Sequence, residues 1–162
     1  MGLDQYLYAK KYVGGWEHSD ETDRNLYNKI KKIMGLDKVV CQDSPSLTVK
    51  VTVAYWRKAN AIHNFFVTNA QDGKDECQES YVSRELLQEL IDACKTVIAS
   101  KGTPEEQETI KENLEPTPGF FFGSTEINEW YFRDLQDTVE TLEPLLSTPE
   151  LKDFDFYYQA SW

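Results

Sequence analysis

Leu47-Thr48-Val49-Lys50-Val51-Thr52-Val53-Ala54-Tyr55-Trp56 alternates strictly, and Arg57-Lys58-Ala59-Asn60-Ala61-Ile62-His63 follows it with no turn residue between. The first stretch has the period of two that a strand requires. The second opens a helix, expected over 58–69, with Ile62, Phe65 and Phe66 facing inward. A strand that passes straight into a helix implies helices packed on a sheet rather than a pure bundle or sandwich.

The same periodicities extend outward in both directions. Upstream, residues 3–12 read as a strand, with Tyr6, Tyr8, Lys10 and Tyr12 on one face and Leu3, Gln5, Leu7 and Ala9 on the other. Gly14-Gly15 ends it. A helix is expected over 22–34, with Gly35 at its C-terminal turn, and a loop over 37–46. Downstream, 71–80 is a polar loop. Ser83 caps a helix over 84–99 whose stripe is Leu86, Leu87, Leu90, Ile91, Cys94, Val97 and Ile98. Thr103-Pro104-Glu105-Glu106 reads as a capping box opening a short helix. Phe120-Phe121-Phe122 reads as a short strand or extended segment. A long helix is expected over 126–143, with Pro144 kinking or restarting it, and a strand over 153–162. The fold class that follows is α+β: one domain spanning 1–162, with a small antiparallel sheet of three to four strands packed against four to five helices.

Composition narrows the function. The 162 residues carry a formal net charge of −11, a field that repels phosphate backbones and argues against direct nucleic-acid binding. The same charge serves solubility, or docking on a basic partner. The three cysteines, Cys41, Cys77 and Cys94, form no Cys-x-x-Cys pair, and the start has no secretory leader, which points to reduced thiols in a cytoplasm. No apolar run reaches the roughly 18 residues of a membrane helix. His18 and His63 are the only histidines and fit no metal motif, and no Gly-rich phosphate loop is present, so neither metal nor cofactor is implied. The aromatic share, 13%, would serve a homo-oligomer interface as well as a core.

Two stretches carry candidate chemistry. Trp56, Arg57, Lys58, Asn60 and His63 gather a ring, two cations, an amide and an imidazole where a helix begins, and free amides at a helix start favour an anion. A planar ring on Trp56 with a phosphate near Arg57 and Lys58 is the expected arrangement. Phe122, Ser124, Thr125, Glu126 and Trp130 surround a Gly123 turn, with the two hydroxyls placed to cap a helix or contact a ligand. Against these stand plain readings: Trp56 as core, the cations as solvated surface, and Glu126 as a favourable charge at a helix start. No residue can be named as catalytic.

The opening Met1-Gly2-Leu3-Asp4-Gln5-Tyr6-Leu7-Tyr8, the Tyr55 to His63 centre, Gln71-Asp72-Gly73 with Cys77, Gly119 to Glu126 and the ending Phe156-Tyr157-Tyr158-Gln159-Ala160-Ser161-Trp162 resemble a family of small uncharacterised proteins of tailed bacteriophages and their hosts. The family usually has Met where this chain has Gln5. The resemblance implies no activity, only context: a phage accessory protein acting in host bacterial cytoplasm. Three functions follow as expectations. The first is binding, as a counter-defence protein that sequesters a small anionic or nucleotide signal. The second is an acidic protein–protein inhibitor of a host defence or nucleic-acid-binding protein. The third is a small hydrolase using His63.

Overall fold

The structure, a computed structural model, describes residues 2–162; Met1, the first residue of the resemblance, lies outside them. The elements, in chain order, are β1 (Asp4–Gly14), α1 (Glu21–Ile33), β2 (Ser46–Arg57), α2 (Asn60–Ala70), β3 (Ser80–Val82), α3 (Arg84–Ser100), α4 (Glu106–Asn113), α5 (Glu129–Ser147), a 3-10 turn at Pro149–Leu151, and β4 (Asp155–Ser161). The strands form one antiparallel sheet in the order β2-β1-β4-β3, so the fold is α+β with four strands and five helices. No helix among the described residues is long and apolar enough to cross a membrane.

The chain divides into two compact units. The larger comprises residues up to Ala9 and from Thr52 to Trp162, and the smaller comprises Lys10–Val51. In the smaller unit, Asp20 caps α1 by accepting from the Thr22 amide at 2.8 Å, and Lys11 pairs with Asp23 at 3.1 Å. Tyr27 is buried beside Gly15, where an added Cβ would lie 2.6 Å from the ring.

The larger unit holds the main core. Leu3, just before β1, and Gln5, Leu7 and Ala9 on it form the buried face, one of the two faces that the alternation separates. On β4 it is Phe156, Tyr158 and Ala160. On the last part of β2, Ala54 and Trp56 are buried while Tyr55 is exposed, so the face opposite to the Leu47-Val49-Val51-Val53-Tyr55 set meets the core there. Leu87, Leu90, Ile91, Cys94 and Val97 of α3 supply the helical side, and Leu135 and Leu142 come from α5. Burial pushes the Cys94 thiol up to about 12, so it packs as a small hydrophobe.

Gln5 is fully buried, and the fold satisfies both ends of its amide. Its Nε2 donates to Ala59 O at 3.2 Å, and its Oε1 lies 3.2 Å from the Tyr158 hydroxyl. A buried amide is tolerated only when paired in this way.

Three expectations need correction. Phe120-Phe121-Phe122 is neither strand nor extended: it is a turn, with Phe121 at φ 70° and Phe122 N donating to Gly119 O at 3.2 Å. The long helix starts at Glu129, not 126, because Asn128 takes the capping role by accepting from the amides of Trp130 and Tyr131. It also runs through Pro144 to Ser147. Thr103 does not cap α4. Its hydroxyl donates to Ser100 O, Glu106 reaches back to the Gly102 amide, and the helix begins at Glu106. The short β3, within and just beyond the expected polar loop, pairs Ser80, Tyr81 and Val82 with Tyr158, Tyr157 and Phe156.

Candidate functional site

The passage from β2 to α2 is abrupt. Lys58 sits at φ 60°, in the left-handed region that a side chain rarely adopts, and its amide donates to Leu3 O at 2.8 Å. That single residue turns the strand into the helix and leaves the side chains of Arg57 and Lys58 exposed at the junction. The first turn of α2 has no side-chain cap and no acidic residue; its Asn60 amide donates to Lys58 O at 2.9 Å, which leaves the next two amides, of Ala61 and Ile62, for an anion.

Asn60 ties this junction to the turn after the phenylalanines. Its Nδ2 donates to Ser124 O at 2.8 Å and to Phe122 O at 3.4 Å. Gly123, at φ 93°, makes the close approach possible: a Cβ there would stand 3.2 Å from Lys58 Cβ in an unfavourable backbone region. Ser124 Oγ then accepts from the Glu126 amide at 3.1 Å, closing a local turn before Asn128 starts α5.

A hollow of about 340 Å³ lies between the α2 junction, this turn and the first turns of α5. Of the ten residues expected at a site, Arg57, Lys58, Asn60, Ser124, Glu126 and Trp130 line it. Neither Arg57 nor Lys58 makes an ion pair among the described residues. Trp130 is 72% exposed on the rim.

Four expected residues lie elsewhere. Trp56 is buried, and its indole N–H donates to Thr138 Oγ1 at 2.9 Å, so it offers no face to a ligand. Phe122 is buried edge-on against the His63 ring, with centroids 4.9 Å apart. Thr125 is exposed and does not line the hollow. His63, 1% exposed, points into the fold. Its Nδ1 lies 2.7 Å from the Tyr158 hydroxyl and its Nε2 lies 2.9 Å from Asp75 Oδ2, which also accepts from the Trp162 indole at 2.8 Å. Burial pulls the His63 pKa down and outweighs the opposing attraction of Asp75. The neutral ring therefore donates from Nε2 to Asp75, and its Nδ1 shares the single Tyr158 hydroxyl proton with Gln5 Oε1. This chain of side chains binds the 71–79 loop to α2 and β4.

The structure adds one group that the sequence pattern did not single out. Asp134 lines the hollow, and burial, aided by the nearby Asp137 carboxylate, raises its pKa to about 6. Its position four residues after Trp130 puts both on one face of α5, which is the signal that could have found it. A carboxyl whose folded pKa exceeds its unfolded value of 3.8 favours unfolding once ionised. That penalty is absent below about pH 4 and complete above about pH 6. Asp134→Asn is therefore expected to stabilise the protein at pH 7.5 and to leave it unchanged near pH 4. Discounted for residual solvent contact, the gain is about 1 kcal/mol. Urea midpoints at the two pH values measure it.

Protein-family models, curated proteins and solved structures were each compared with the chain, and none gives a significant match. The site is therefore defined by its own geometry: an α+β fold with a ligand-sized hollow at a strand-to-helix junction.

Proposed function

We propose that the protein binds a small ligand carrying both an anionic group and a planar ring with hydrogen-bond donors, the chemistry of a nucleotide. The observation that supports this most directly is the hollow itself. Two cations without an ion pair among the described residues and the uncapped first turn of α2 stand on one wall, and an exposed indole stands on the rim. The anion is drawn to Arg57, Lys58 and the leading amides of α2. The ring lies against Trp130 rather than Trp56, since only Trp130 presents a free face. Glu126 and Asp134 accept from ring amines, which distinguishes this site from one for bare phosphate. The volume is at the lower end of the range for small-molecule sites.

In the setting that the sequence resemblance suggests, an accessory protein of a tailed phage in bacterial cytoplasm, such binding would sequester a nucleotide signal of the host. His63 has no part in this reading, because it is engaged inside the fold.

A thermal-shift series with AMP, cyclic AMP, ADP-ribose and inorganic phosphate tests the proposal. A ligand at about 100 times its Kd adds about 2.7 kcal/mol, which for a chain of this size raises Tm by roughly 5–10 °C. At least one nucleotide is expected to do so, and phosphate alone to do little. Arg57→Ala and Lys58→Ala should each weaken that binding about tenfold or more. Flat melting curves with every compound would overturn the proposal.

A further inference from the structure

Trp130 borders two hollows, not one. It also lines a second depression of about 460 Å³, with Lys101, Glu129, Phe132 and Arg133 among the other lining residues. We propose that the two form one extended site divided by the Trp130 indole, and that the ligand is a dinucleotide, with one base on each side of that ring. This rests on the nucleotide reading of the first hollow and deepens it.

The support is geometric. Trp130 occupies the first turn of α5, where Asn128 Oδ1 accepts its amide at 2.9 Å and fixes the backbone. The indole is nonetheless 72% exposed, and its N–H has no hydrogen-bond partner among the described residues. A core role would have buried the ring, and a surface role does not require one so large. The second hollow also places cations near the Trp130 ring, while its other aromatic residue, Phe132, is buried behind Lys101. Lys101 Nζ stands 4.6 Å from the Phe132 ring centroid and 3.1 Å from both Glu129 carboxylate oxygens, so it is held in place. Arg133 lies one residue beyond Phe132 with only a long contact of 3.8 Å to Asp137, which leaves guanidinium donors for a ligand. Glu129 and Glu140 supply acceptors for base amines.

Each base stacked on an aromatic side chain contributes about 1–3 kcal/mol, equivalent to a factor of roughly 5–150 in Kd. The second base is therefore what separates a dinucleotide from a mononucleotide here. The charge on the first hollow alone predicts no such difference.

Isothermal titration of the full chain with AMP, ADP and the 5′-phosphorylated dinucleotide pApA reads this directly, ADP matching the added charge without a second base. Binding of pApA is expected to be at least tenfold tighter than that of either mononucleotide. Lys101→Ala and Arg133→Ala, both at exposed positions, should each reduce that excess by loosening the hold on the second base and leave AMP binding unchanged. Trp130→Ala should weaken both ligands. If pApA binds no better than ADP, or if its excess survives both cation substitutions, the two-compartment site is overturned while the single-nucleotide reading stands. If neither AMP nor pApA binds, both readings fall together.

Discussion

His63→Ala is expected to lower stability by about 3 kcal/mol and Tm by roughly 10 °C, an effect of the size seen when a buried polar network loses its centre. The ring is 1% exposed and joins Tyr158, Asp75 and, through Asp75, Trp162. Removing it leaves the Tyr158 hydroxyl with Gln5 alone, takes a donor from Asp75, whose other oxygen is already buried without a partner, and opens space beside Phe122. The effect depends on pH. Burial holds the folded pKa of His63 below the ordinary 6.5, so the stability carried by the neutral ring is complete above about 6.5 and falls away as the pH drops through that value. The gap between wild type and His63→Ala in urea melts should therefore be widest at pH 7.5 and narrower at pH 5.5. An unchanged midpoint at pH 7.5 would show that the imidazole is not part of the fold's support, and would reopen a chemical role for it.

Asn60→Ala is the second large effect, and it joins stability to binding. One amide nitrogen holds the carbonyls of Phe122 and Ser124 to the start of α2. Its loss leaves those groups unpaired in a buried or half-buried setting, at about 1–3 kcal/mol. The same loss frees the Gly123 turn that forms one wall of the hollow, so nucleotide affinity should drop more than tenfold. Arg57→Ala provides the contrast. Arg57 is exposed and supports no packing, so binding should fall while Tm without ligand stays within about 1 °C of wild type. Equal losses of stability and affinity in both variants would mean that the cations act through the fold rather than on the ligand.

How much of this was legible depends on which physical signal each residue carries. The alternation from Leu47 to Trp56 and the α3 stripe are repeated signals, and both elements appear with nearly the expected bounds. The division of β1 into two faces was equally legible, with Gln5 on the same face as Leu7 and Ala9. Trp56 was not, because a strict alternation shows that a strand exists without showing which parity is buried. Its neighbour Tyr55 has equal claim by composition, and only the sheet order with helices behind decides between them. The phenylalanine triplet misled because β-propensity reflects fit to a pleated surface, and here Phe121 adopts a left-handed turn between two glycines. His63 shares a helical face with Ala59 and Phe66, which in retrospect marks it as inward. The meeting of the two candidate stretches around one hollow is a tertiary fact, carried by Asn60 across more than sixty residues of chain.

The claim on which the rest depends is that the hollow beside Lys58 takes up a nucleotide. Amide chemical shifts of the labelled protein during titration with AMP report its location directly. The account predicts saturable shifts at Ala61, Ile62 and Ser124 and at the Trp130 indole N–H, with the buried Trp56 indole unmoved. Shifts that fail to appear at millimolar AMP, or that appear on other surfaces while these four stay still, would contradict it.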